Sequence, residues 1–142
     1  MKTVHPQSYP CFDERGVMEK DKVLTFSGKK LAELTLEKVL SDDLTAEDFR
    51  ISSETLRCQA DAAEAAGYET LALNLRRAAE LTRVTNVEVF DIYNTLRPGR
   101  ATYAELIARA DWLIKVRDAP LTANLVREAA EVYRERGLFR KG

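Results

Sequence analysis

The sequence is poor in the side chains that most often carry chemistry. Its 142 residues include one histidine, His5, and two cysteines, Cys11 and Cys58, which stand 47 residues apart and form no CxxC pair. Two cysteines are too few for the disulfide framework of a small secreted domain, and their spacing lacks the pattern of a zinc site. We therefore predict that both are free thiols in a reducing cytoplasm.

The same scarcity excludes the common catalytic constellations. A single imidazole in an irregular segment leaves no Ser-His-acid or Cys-His set to be assembled on the helices. Neither GxxxxGK[ST] nor GxGxxG occurs, and residues 25–30 (TFSGKK) hold too few glycines to cradle a phosphate. Acidic pairs such as Asp42 and Asp43 are typical of helix ends and solvated surface. We assign no catalytic, cofactor-binding or metal-binding residue to this chain.

The chain also lacks an excess of one charge and any long apolar run. Lys and Arg number 22 and Asp and Glu number 23, so the net charge of −1 provides no general field to attract nucleic acid or an anionic membrane. No apolar run approaches the roughly 20 residues of a membrane span, and no signal-peptide pattern follows the first residues. We expect a cytoplasmic protein that binds neither nucleic acid nor membrane.

What the sequence does contain is a strong helical pattern after residue 50. Ser52 is a candidate N-cap, Thr85 and Thr102 each open a capping box with a glutamate three residues on, and Pro120 breaks or restarts the chain. No segment alternates at period two. The spacing predicts five buried faces: Leu56, Ala60 and Ala63; Leu71, Leu75, Ala78, Ala79 and Thr82; Val89, Phe90, Tyr93 and Leu96; Leu106, Ala110 and Leu113; and Leu125, Ala129 and Val132.

These patterns predict an all-α fold. We expect a compact bundle of about five main helices after residue 50, short helices over residues 31–50, and an extended, irregular N-terminal arm over residues 1–30. Residues 31–142 would then form a single helical domain. The predicted stripes are rich in alanine, which gives each helix little apolar area to bury, so the composition suits a subunit supported by partners.

Arginine predominates over lysine after residue 50, with 12 Arg against 2 Lys. Arg is favoured in desolvated contacts because its planar fork pairs bidentately with carboxylates, but GC-rich coding produces the same bias. Arg76 and Arg77 lie mid-helix, where pairing with Glu80 is the ordinary explanation. Composition and spacing leave two interpretations open, a subunit of a larger assembly and a free-standing helical adaptor that binds other proteins.

Longer strings resemble a known family. They are residues 27–40 (SGKKLAELTLEKVL), 44–49 (LTAEDF), 50–56 (RISSETL), 76–82 (RRAAELT), 92–98 (IYNTLRP), 126–133 (VREAAEVY) and 140–142 (RKG). In this order the strings resemble the small subunit of the adenosylcobalamin-dependent diol and glycerol dehydratases, over roughly residues 24–142. A component of the dehydratase reactivating factor is a weaker match, since its small subunit resembles the medium dehydratase subunit.

The resemblance implies an enzyme with two copies of each of three subunits. In that family the large subunit is a (β/α)8 barrel that holds the diol and a metal ion, and the medium subunit helps to clasp adenosylcobalamin. A radical mechanism converts 1,2-diols or glycerol to aldehydes with loss of water. The small subunit is mainly helical and packs against the large one, so the cofactor is bound by the partner subunits and not by this chain alone.

The resemblance also implies a partner interface on this chain. We predict that the interface draws on residues 12–26, on the helix of Arg76 and Arg77, and on the helix of Arg127 and Glu128, with Phe12 and Phe26 as buried aromatics. Some family members carry an N-terminal helix that aids packaging into bacterial microcompartments. The arm before Lys22 is unlike such a helix, so the N-terminus does not support packaging. Nothing in this subunit separates glycerol from propane-1,2-diol as substrate.

Overall fold

The computed structural model describes residues 19–140, and within that range every regular element is a helix. Short 3-10 helices span Lys20–Lys22, Leu31–Glu33 and Ala46–Phe49. The α-helices are α1 (Leu36–Leu40), α2 (Ser53–Ala65), α3 (Glu69–Leu81), α4 (Asn86–Thr95), α5 (Tyr103–Arg117) and α6 (Pro120–Arg136). The prediction of an all-α protein with short helices before residue 50 and five main helices after it is confirmed.

The helices begin where the capping residues predict. The Ser52 hydroxyl accepts a hydrogen bond from the Thr55 amide at the start of α2. At α4 the Glu88 carboxylate accepts from the Thr85 amide at 2.9 Å, and at α5 the Glu105 carboxylate accepts from the Thr102 amide at 2.7 Å. Each capping box satisfies backbone donors that have no partner inside the helix, so these three starts are determined by local sequence.

The chain divides into two compact units, with the boundary between Ala79 and Glu80. The first unit buries a small cluster of Ala60, Ala63 and Ala72, against which Leu75 packs. Because an alanine side chain removes little apolar area from water, this cluster contributes modestly to stability. The division into an N-terminal arm over residues 1–30 and a single helical domain over residues 31–142 stays a prediction.

The second unit is built on the contact between α5 and α6. Leu106 and Leu113 of α5 and Val126 of α6 are its largest fully buried side chains. Complete burial of such a side chain is worth roughly 1.5–3 kcal/mol. Alanines complete the contact, Ala110 from α5 and Ala123 and Ala130 from α6, and their small side chains let the helix axes approach closely. The predicted inward face of α5 is confirmed.

The predicted buried face of α3 is wrong at Leu71, which is 51% exposed, whereas its neighbour Ala72 is buried. The predicted faces of α4 and α6 are also wrong in part. In α4, Val89 packs against the core as predicted, but Phe90 is 68% exposed and Tyr93 is 63% exposed, while Ile92 is buried instead. In α6 the buried face is Thr122, Ala123, Val126 and Ala130, and the predicted Leu125 and Val132 are exposed. Both helices carry apolar residues around more than one side, so periodicity favoured the largest side chains where packing selected smaller ones.

Cys58 also departs from expectation. It is buried on α2 and is disulfide-bonded, so the prediction of a free thiol is wrong for this residue. Sequence spacing could not reveal this, because the bonding of a thiol depends on the surroundings that the fold gives it. Cys11 lies outside the described residues.

A carboxylate from another helix caps the start of α6. Ala119, at the N-cap position, has no side chain that accepts a hydrogen bond, and Pro120 has no amide hydrogen. The carboxylate of Glu80 supplies the missing acceptor: it binds the Leu121 amide at 2.9 Å, the Thr122 amide at 2.8 Å and the Thr122 hydroxyl at 2.7 Å. Glu80 is buried, so these contacts are shielded from water. The α6 start therefore depends on a tertiary contact.

Replacing Glu80 tests this cap. We expect Glu80→Ala to lower the free energy of unfolding by about 2–3 kcal/mol, because it leaves the Leu121 and Thr122 amides without an acceptor inside the protein. Urea denaturation followed by circular dichroism measures the change. Glu135→Ala on the exposed side of α6 is the matched control and should change stability by less than about 0.5 kcal/mol. Equal effects of the two substitutions would contradict the role assigned to Glu80.

Candidate partner-binding surfaces

A buried carboxylate fixes the turn that carries Phe26. Asp48 is 3% exposed, and it accepts hydrogen bonds from the Ser27 hydroxyl, from the Thr45 amide at 2.7 Å and from the Lys29 ammonium at 2.9 Å. These hydrogen bonds hold the pKa of Asp48 well below its usual range. The bond from Ser27 has the largest effect, and those from Thr45 and Lys29 add to it. This network anchors residues 25–30 beside the Ala46–Phe49 helix.

The first unit exposes large apolar side chains near this turn. The five-residue helix α1 buries none of its residues, and its Leu40 is 77% exposed. A helix this short has little stability of its own in water. Exposed side chains in this stretch are Leu24, Phe26, Leu31, Leu36, Val39, Leu40, Phe49 and Ile51. These side chains are larger and more numerous than the three alanines of the buried cluster. Exposed apolar side chains that gather in one stretch are typical of a protein-binding surface.

The six interface candidates occupy different environments. Phe12 lies outside the described residues. Phe26 is half-exposed, and the Arg50 guanidinium lies over its ring, 4.4 Å from the centroid. A guanidinium above an aromatic face is a favourable contact that keeps the ring at the surface. Phe26 is thus available to a partner.

Arg76 forms ion pairs within the first unit. Its guanidinium donates to Glu64 at 2.5 Å and to Asp61 at 2.8 Å, both on α2, and these two carboxylates raise its pKa. Arg76 therefore pairs with α2, whereas the ordinary explanation was an intrahelical pair with Glu80. Arg77 makes a weaker contact, a 3.2 Å hydrogen bond to Asn74, and its buried Nε has no hydrogen-bond partner within residues 19–140.

The two candidates on α6 also differ. Arg127 donates to Asp111 of α5 at 2.7 Å and so ties the two helices of the second core together. Glu128, the next residue, is exposed. Consecutive residues on a helix point about 100° apart, so one can serve the fold while the other faces outward.

The α4 helix has an apolar side that the sequence analysis assigned to the core. Val87, Phe90 and Tyr93 are exposed at positions i, i+3 and i+6, and we call these three residues the outer face of α4. The rings of Phe90 and Tyr93 lie 6.4 Å apart between centroids. A shallow depression of about 500 Å³ is lined by Asn86, Val87, Phe90, Asp91 and Asn94. The signal for this face was available: apolar residues at 87, 89, 90, 92, 93 and 96 are too many for one stripe.

The described residues do not fit a corrinoid cofactor. A cavity of about 570 Å³ is lined by residues of α4, α5 and the loop between them, among them Arg100, Arg109 and Trp112. This volume suits a drug-sized ligand, and adenosylcobalamin is a larger molecule than that. Two groups near the cavity are already engaged, because Arg109 pairs with Asp91 and Glu105 with Arg140. Residues 19–140 contain no group of side chains that could hold a metal ion.

Comparison with protein families shows to which family the chain belongs. A family model described as dehydratase small subunit matches residues 4–140. The chain belongs to this family.

Two propanediol dehydratase small subunits are similar to this member of the family, one from Citrobacter freundii and one from Salmonella typhimurium. Each is 51% identical to it over 114 residues, which cover 80% of this chain and 66% of the relative. The match therefore spans just under two thirds of the relatives' length. No helix among residues 19–140 of this dehydratase small subunit is long and apolar enough to cross a bilayer.

Carboxylates with lowered pKa values make the stability of this family member dependent on pH. The Arg117 guanidinium and the Thr85 amide lower the pKa of Glu88 to about 2, and the pKa of Asp48 is lower still. In an unfolded chain such groups titrate near pH 4. A carboxylate with a lowered pKa stabilises the fold at every pH above its unfolded value, and this contribution is lost as the pH falls toward its folded value.

We therefore expect the free energy of unfolding to fall between pH 5 and pH 2. Glu88→Gln and Asp48→Asn should each be less stable than the wild type at pH 7 and should lose less stability on acidification. Urea titrations at several pH values measure both effects. Glu128→Gln, at an exposed position, should follow the wild-type curve. An unchanged pH dependence in Glu88→Gln would show that the pairing with Arg117 is not what stabilises this carboxylate.

Proposed function

We propose that this chain is the non-catalytic small subunit of a coenzyme B12-dependent diol or glycerol dehydratase that acts in the cytoplasm. The observation that carries the proposal is the family match over residues 4–140, together with 51% identity to two propanediol dehydratase small subunits. The complex would convert 1,2-diols or glycerol to aldehydes with loss of water by a radical mechanism.

In this proposal the chemistry belongs to the partner subunits. Large and medium subunits, two copies of each with two copies of this chain, would bind adenosylcobalamin and the diol, and the cofactor would supply the radical. The contribution of this chain would be to stabilise the assembly. Its exposed apolar side chains support this, because a surface such as Leu36, Leu40 and Phe49 is stabilised when a partner removes it from water.

The six interface candidates stay part of the proposal, with different roles. Phe26, Arg77 and Glu128 would contact a partner directly, and we keep Phe12 in the same role. Arg76 and Arg127 would act indirectly, because their ion pairs hold α3 on α2 and α6 on α5. A substitution at Arg76 would then weaken the fold before it weakened an interface, so it is a poor probe of partner binding.

Omission of the chain tests the proposed function. We expect large and medium subunits expressed without this chain to give much less soluble and active complex than all three together, because their contact surface for it is left exposed. Gel filtration and a dehydratase assay on propane-1,2-diol and glycerol measure the effect. Full activity from the two larger subunits alone would contradict the proposal. A stable monomer that binds neither of the larger subunits would favour the alternative, a free-standing adaptor.

Charge reversal at Arg77 tests one interface candidate. We expect Arg77→Glu to reduce the yield of complex several-fold while changing the melting temperature of the isolated chain little, since within residues 19–140 the Arg77 side chain forms no ion pair and donates to the neutral Asn74. Arg76→Glu is the contrasting variant: it places a third carboxylate beside Asp61 and Glu64 and should lower the melting temperature. An unchanged yield for Arg77→Glu would exclude this side of α3 from the interface.

A further inference from the structure

The outer face of α4 is unusual because its helix is apolar on two sides. Val89, Ile92 and Leu96 face the core of the second unit, while Val87, Phe90 and Tyr93 are 80%, 68% and 63% exposed. A helix with one stripe needs one neighbour, and a helix that is apolar on two sides is stabilised by a second neighbour. Within residues 80–140 the fold supplies only the first.

Polar ties hold α4 rigidly in the second unit. The Thr85–Glu88 capping box fixes its start, Arg117 of α5 pairs with Glu88, and Arg109 of α5 pairs with Asp91. A rigid helix loses little conformational entropy when a partner covers it, so its exposed aromatic side chains are pre-organised for binding. Aromatic residues and arginine are also the types most often found at the energetic centre of protein interfaces.

The charges near this face point to the chemistry of the partner. Glu88 and Asp91 are the acidic residues of α4, and both are already neutralised by arginines of α5. Arg97 and Arg100 follow the C-terminal end of the helix, are exposed, and form no side-chain ion pair with any residue in the range 19–140. The helix is therefore apolar on its outer face, and two arginines follow its C-terminal end.

This charge pattern disfavours a second copy of the chain as the occupant. Two copies that paired through this face would bring Arg97 and Arg100 to a surface whose only helical carboxylates, Glu88 and Asp91, already bind arginines. A different chain with unpaired carboxylates beside an apolar surface would complement both features.

We propose that the outer face of α4 is the surface through which the second unit docks onto another subunit of the dehydratase complex. The partner offers an apolar surface to Phe90 and Tyr93 and carboxylates to Arg97 and Arg100. This inference rests on the proposed function, and it adds a docking surface that lies on none of the helices named as interface candidates.

The test compares variants in the co-expressed three-subunit complex. We expect Phe90→Glu to lower the affinity of this chain for the large and medium subunits by about 10-fold or more, the loss typical of a central interface aromatic. Phe90→Ala should weaken binding in the same direction. Arg97→Glu should weaken binding at low salt more than at high salt, because its contribution is electrostatic. Val116→Glu, at an exposed apolar position on α5, is the matched control and should bind as the wild type does.

Circular dichroism and the melting temperature of each isolated variant establish that the fold is retained, as expected for exposed positions. Binding of Phe90→Glu within twofold of the wild type would overturn this surface while leaving the proposed function intact. Equal losses for Phe90→Glu and Val116→Glu would overturn it too. A wild-type dimer that Phe90→Glu converts to a monomer would assign the face to a second copy instead. Failure of the wild-type chain to bind either larger subunit would overturn both proposals.

Discussion

Close packing of helices over alanine is the constraint on which the rest of this structure depends. The positions with least exposure include Ala60, Ala72, Ala110, Ala123 and Ala130, and few large side chains are fully buried. Small residues bring helix axes close together, but they remove little apolar surface from water. The larger apolar residues, such as Leu40, Phe49 and Phe90, lie on the outside. The described residues therefore bury few large side chains and leave large apolar side chains at the surface.

Ion pairs between helices add to the small stabilisation that the alanine-rich interior provides. Arg76 binds two carboxylates of α2, Arg127 binds Asp111, and Arg109 and Arg117 bind acids of α4. Such pairs at partly exposed positions contribute modestly to stability, but they fix which helices pack together. Within residues 51–140, four arginines link one helix to another, whereas Arg77, Arg97 and Arg100 form no side-chain ion pair there.

The proposed role as a subunit would account for this combination of a small buried core and exposed apolar side chains. The core of a subunit does not have to supply all of the free energy of folding, because partners bury part of the subunit's surface in the assembled state. The α4 helix illustrates the point: one side is held by the core and by two ion pairs, and the other presents Val87, Phe90 and Tyr93 to the outside. Exposed apolar side chains of this kind favour aggregation of a free protein, whereas in a complex they can serve as a binding surface.

The sequence by itself determined the helical class, the starts of α2, α4 and α5, and the inward face of α5, because caps and strict periodicity act within one or two turns of chain. The quoted strings also determined the family. Only the tertiary structure decided that Glu80 caps α6, that Asp48 anchors the turn of Phe26, and that Phe90 and Leu125 face outward. Each of these depends on a group brought from elsewhere in the chain or on a choice between two apolar sides of one helix. Periodicity ranks such sides by hydrophobic size, whereas close packing selects the side with the smaller residues.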